Sequence, residues 1–190
     1  LVNNGLGGGW DELRNKEIGL GISPGVHDSY LYLLLKSNPN PSPLSFIYRI
    51  SIPFDTGSLL DSAEIESATL KIYKSTNYIE NTHPASSDFI TLVKTTLNNS
   101  PSLGREDFND FGSVNDPLEL ANRIDISAEF GSIGRGIFIL NSNGLLSINK
   151  EGYSLFGLRG GYDLEALPNG GEPTALLTSI RSGDSIFGTP

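Results

Sequence analysis

The sequence predicts an all-β fold, a sandwich or barrel of short strands, and three observations lead there. Apolar and polar residues alternate through its clearest segments, the period that sends successive side chains to opposite faces of a sheet. These segments recur at fairly regular spacing, with turn chemistry between them. Twenty-two Gly and eleven Pro in 190 residues, spread without a repeat period, suit many short elements joined by tight turns. The length is that of one domain, on a prior of roughly 100–200 residues each.

Residues 1–25 are glycine-rich, with Gly5, Gly7, Gly8 and Gly9 ahead of Trp10. They read as a loop or edge element before a main domain over residues 26–190. Tyr30 to Lys36 is a short apolar run, predicted as a buried strand. Ser37 to Pro43 holds three prolines, which cannot join a ladder, and is a loop. Leu44 to Phe54 gives the strongest signal. Leu44, Phe46, Tyr48, Ile50, Ile52 and Phe54 share the face predicted to be dry, and Ser45, Arg49, Ser51 and Pro53 the wet one.

A turn at Asp55 to Ser58 leads to a second alternating strand, with Ala68, Leu70 and Ile72 inward and Thr69, Lys71 and Tyr73 outward. Phe89 to Lys94 is a third, weaker case. Gly104 to Gly112 reads as a helical turn, and Arg123 to Ser127 and Gly136 to Leu140 as strands. Asn143 to Lys150 reads as one or two helical turns packing Leu145, Leu146 and Ile148, stopped by Gly152. Tyr153 to Arg159 and Thr174 to Arg181 are the last strands expected.

Charge excludes whole classes of partner. The net charge is −9 with no basic patch, so nucleic acid and anionic membranes are not expected partners. The longest apolar run, Tyr30 to Leu35, is far short of the roughly 20 residues a spanning helix needs, so no membrane insertion is expected. There is no Cys, hence no disulfide and no thiolate chemistry. The chain starts at Leu1 and holds no Met, which suggests a processed or excised piece with any signal peptide out of view.

Catalytic motifs fail on mechanics. Gly21-Ile-Ser-Pro-Gly25 spells a nucleophile elbow, but the residue after Ser23 is Pro24, which has no N–H to offer an oxyanion. His27 and His83 each stand alone without a spaced partner. No enzyme is expected. Asp107, Asn109 and Gly112 fit an EF-hand's first, third and sixth places. Phe111 stands where an oxygen ligand belongs and Leu118 takes the twelfth place, so a capped turn burying Phe108 and Phe111 is the better account. Asp107, Asp110 and Asp116 remain candidate calcium ligands, because hard cations take carboxylate oxygens. Sugar binding asks for exposed aromatic faces beside polar groups, and Trp10, Tyr73 and Tyr78 are the candidates; sheet packing is the ordinary alternative for each.

The run from Arg49 through Ile-Ser-Ile-Pro-Phe54-Asp55, a turn, then Ile65-Glu-Ser-Ala68-Thr-Leu70-Lys-Ile-Tyr73 resembles the hallmark of the DNRLRE, or disaggregatase-related, domains. Leu103 to Gly112, Phe138 to Lys150 and Phe156 to Arg159 resemble later blocks of that group, in the same order. The resemblance covers roughly residues 25–190. It implies a jelly-roll β-sandwich of two antiparallel sheets with one or two short helical turns, of carbohydrate-binding-module type. It also implies a secreted or cell-surface home, calcium in many members, and polysaccharide binding in some. Phe54, Asp55, Ala68 and Leu70 match as fold residues; no family ligand motif maps onto the chain. Members finish with a Pro-x-Leu-x-Val-x-Tyr strand, whereas this sequence stops at Gly188-Thr-Pro190. A strand missing there would leave an edge that invites one from a neighbour, and Leu1-Val2 is a candidate donor.

The expected function is therefore a non-catalytic extracellular or cell-surface module binding polysaccharide or envelope glycan. The alternative is a structural subunit of a filament, sheath or surface layer, whose partners are other copies of itself joined by strand exchange.

Overall fold

The structure is a computed structural model and describes residues 2–5, 12, 14–19, 21–22, 31–35, 46–74, 88–97, 102–130, 135–165 and 176–181. Its strands are β1 (Val2–Gly5), β2 (Gly21–Ile22), β3 (Leu31–Leu35), β4 (Phe46–Asp55), β5 (Thr69–Lys74), β6 (Phe89–Lys94), β7 (Ile124–Asp125), β8 (Arg135–Ile139), β9 (Tyr153–Gly160) and β10 (Leu176–Arg181). Short helices α1 (Ser142–Leu146) and α2 (Gly161–Leu164) join a 3-10 turn at Glu106–Asp110 and a π-helical turn at Ile126–Phe130. The fold is all-β. One sheet has the order β2-β1-β4-β9-β6-β7 and the other β3-β10-β5-β8. Every strand pairing among the described residues is antiparallel.

Alternation places β5 as expected. Ile72 is buried, Ala68 and Leu70 half-buried, and Thr69 and Lys71 exposed. Ile50, Leu92 and Leu158 of the first sheet join Ile72 and Phe138 of the second in one apolar cluster, so a single core serves both sheets.

In β4 the alternation misleads on one face. Ile50 is buried as predicted, yet Arg49, assigned to the wet face, is fully buried too, and Phe54 at the strand's end is 39% exposed. The odd face is dry at Ile47 and Arg49 because other chain segments cover it there, while Pro53 stays exposed. Arg14 and the turn carrying Phe108 and Phe111 pack there, and Arg49 reaches both the carbonyl of Phe108 and that of Arg14. On the neighbouring strand Gly157 permits this approach, since a Cβ there would lie 2.9 Å from the Phe111 ring. Strand β6 lies between β9 and β7 and is buried from Phe89 to Val93 without alternating, the pattern of a strand covered on both faces.

Two further expectations shift. The Arg123 to Ser127 strand shrinks to Ile124–Asp125 before the π-helical turn begins. In α1 the residue turned inward is Gly144, packed against the carbonyl of Leu120 where no side chain fits, and Leu146 is left 84% exposed. Asn141 starts that helix by accepting the Gly144 N–H at 3.0 Å.

The segment from Leu118 to Asn122 staples the two sheets. Leu120 donates its N–H to Leu92 of β6 at 2.9 Å, while Leu120 accepts from Asn141 beyond β8 at 2.9 Å. Thr91 donates its hydroxyl to Glu119, whose carboxylate also pairs with Arg123, and Arg123 lies 4.1 Å over the Phe89 ring.

Candidate functional site

Of the candidate site residues singled out in the sequence, the structure describes the side chains of Asp107, Asp110 and Asp116. Trp10, Tyr78, His27, His83 and Ser23 lie outside the described residues, as does the Tyr73 side chain, although the Tyr73 backbone pairs with Arg135 in β5–β8. The Asp107 carboxylate accepts the Gly104 N–H at 2.6 Å. The Asp110 carboxylate accepts the Thr96 hydroxyl at 2.8 Å, and Asp116 donates its N–H to Ser113 at 3.0 Å. The Asp107 and Asp116 contacts are local to their turns, and the Asp110 contact ties its turn to the stretch after β6. Among the described residues no three or more His, Cys, Asp or Glu side chains gather at metal-binding spacing. Phe108 and Phe111 are both buried under their turn.

Sequence reasoning missed an open groove of about 590 Å³, built from three separate stretches of the chain. Strand β9 contributes Tyr153 and Leu155, and the end of β6 contributes Lys94 with Thr95 and Leu97 after it. The stretch from Leu146 to Glu151 follows α1, and Asp61 comes from the turn after β4. Leu97, Leu146, Ile148 and Leu155 supply an apolar lining with Tyr153 beside it. Lys94, Asp61, Asn149, Lys150 and Glu151 bring polar and charged groups to the same space.

The loop forming one wall is held by its own hydrogen bonds. The Asn149 N–H donates to the Ser154 hydroxyl at 2.9 Å, and the Asn149 side chain accepts the Glu151 N–H at 3.0 Å. The Thr56 N–H donates to Gly152 at 2.9 Å, and the Thr56 hydroxyl contacts Ser154 at 2.7 Å. Lys150 reaches across to the carbonyls of Asp61, at 3.0 Å, and Ala63. A wall fixed this way loses little conformational freedom when something binds.

The opposite end of β9 is anchored in a buried ionic cluster. Asp163, 1% exposed, takes the Arg49 Nε at 2.8 Å and the Arg159 Nε at 2.6 Å. Arg14 donates to the main-chain carbonyls of Asp163 and Leu164, both at 2.8 Å, and to the Asn115 side chain at 2.7 Å. Arg159 adds bonds to Ser113 and Val114, and the Arg49 guanidinium lies 4.1 Å over the Phe108 ring. The cluster ties the N-terminal segment, the turn region, β4, β9 and α2 together. Its polar groups face one another rather than a cavity, so its role is architectural.

No family model matches this chain, and no curated protein or solved structure matches it either. No helix among the described residues is long and apolar enough to cross a membrane.

Proposed function

We propose that the chain is a non-catalytic, secreted or cell-surface module of the disaggregatase-related, jelly-roll kind, and that it binds polysaccharide in the groove beside Tyr153. Strand pairing supports the jelly-roll reading. Counting β3 to β10 as one to eight, the pairs are one with eight, two with seven, three with six, and four with five. The resulting orders, 1-8-3-6 and 2-7-4-5 once β1 and β2 are set aside, arise when one long antiparallel ribbon curls over on itself.

The groove carries the functional reading. A pyranose ring presents an apolar C–H face and a belt of hydroxyls, and this groove sets an aromatic ring and leucines beside amide, hydroxyl and charged groups.

Affinity electrophoresis through gels containing a soluble β-glucan or a mannan tests the reading. Retardation of the native protein is expected. Tyr153→Ala should weaken binding by roughly thirtyfold, the cost of truncating a central aromatic contact of about 2 kcal/mol. A Tyr153→Ala protein with an unchanged melting curve and unchanged retardation would remove the groove from consideration.

A further inference from the structure

We infer that the groove selects uncharged polysaccharide chains over polyanionic ones, an inference that rests on the groove reading above. Its described lining carries two cations, Lys94 and Lys150, against two anions, Asp61 and Glu151, so those walls balance. The Lys150 ammonium is already engaged by the carbonyls of Asp61 and Ala63, which leaves it poorly placed to meet an incoming carboxylate.

Two further carboxylates stand close to the groove. Asp55 pairs across the sheet from Tyr153, and Asp110 accepts a hydrogen bond from Thr96, the neighbour of Thr95. The whole chain carries a net charge of −9. A uronate or sulfate chain would bring a row of like charges within the Debye length of about 8 Å, where salt screens little of the repulsion. Nothing in the described lining has the bidentate arginine geometry that carboxylate or sulfate recognition favours. A neutral chain requires no counter-charge. Its C–H faces meet Tyr153 and Leu155, and its hydroxyls meet Asn149, Thr95 and the carboxylates, which are acceptors suited to O–H donors.

Titration calorimetry of the full chain at about 20 and about 300 mM NaCl separates the two kinds of ligand. The probes are laminarin and mannan as neutral chains, and alginate and polygalacturonate as acidic ones. Binding of a neutral chain is expected to change less than about twofold with salt, with the acidic chains at least about tenfold weaker. Glu151→Lys, at an exposed loop position, turns the lining net positive and should bring measurable alginate binding that fades as salt rises. Tighter binding of alginate or polygalacturonate to the unmodified protein, falling with salt, would overturn the inference while leaving the groove as a glycan site. Absence of binding to all four probes would overturn the groove reading itself, and this inference with it.

Discussion

Asp163 shows how much a single residue can hold together. Burial alone would push its carboxyl up, but the Arg49 and Arg159 guanidiniums more than offset that and keep it well below the usual carboxylate range. Burial in turn pushes the Arg159 guanidinium down from its ordinary value, with Asp163 opposing. The remaining donors of both arginines end on Asp163 oxygens and on the carbonyls of Arg14, Phe108, Phe111, Ser113 and Val114, so the arrangement is closely satisfied. Removing its carboxylate leaves buried cations facing one another. Asp163→Asn is therefore expected to cost about 3–5 kcal/mol, read as a lowered midpoint in urea unfolding. A loss under about 1 kcal/mol would mean that the cluster is far better hydrated than its burial implies. Arg159 and Asp163 were not legible in the sequence as partners, because Arg159 ends a predicted strand and Asp163 lies beyond it in no predicted element. Nor was Arg49, because alternation tells which face a side chain takes and says nothing about what covers that face.

At the scale of elements, β8 is where the four-stranded sheet ends, and an end of a sheet exposes unpaired backbone groups. Among the described residues no strand pairs with the outer side of β8, and one side chain bonds there instead. Asn122 accepts the Ile139 N–H at 2.7 Å and, at 3.5 Å, approaches the Ile137 carbonyl with its amide. Asn122→Ala removes that cover at an exposed position, so the fold should survive with a loss of about 1 kcal/mol. The freed edge, beside the 62% exposed Ile139, should then pair between molecules, seen as light scattering that rises with concentration. A variant that scatters no more than the native protein would show that Asn122 guards nothing. Strands such as β5 were legible because one face is wet and the pattern alternates. Strand β6 was the weaker case because it is buried on both faces, and the groove was invisible because its residues come from three separate stretches of the chain.

For the molecule as a whole, these ionic contacts set a direction for stability against pH. The Asp163 carboxyl titrates lower in the folded chain than the value near 3.9 it has when unfolded. Its contribution is therefore complete above about pH 4 and is lost as pH falls through that value toward the folded one. Glu119 acts in the same direction: burial pushes it up, but Arg123 and Thr91 outweigh that and hold it below its ordinary value. The formal charge of −9 shrinks toward zero at the sequence pI of about 4.6 and turns positive below it, so self-repulsion eases down to that pH and adds to the loss only beneath it. The melting temperature should thus stay nearly flat from about pH 8 to about pH 5, then drop by about 5 °C or more toward pH 2. Asp163→Asn separates this cause from general acid denaturation, since it should melt lower at neutral pH yet lose less on acidification. If native and variant curves fell in parallel below about pH 4, the acid response would have to come from carboxylates other than Asp163.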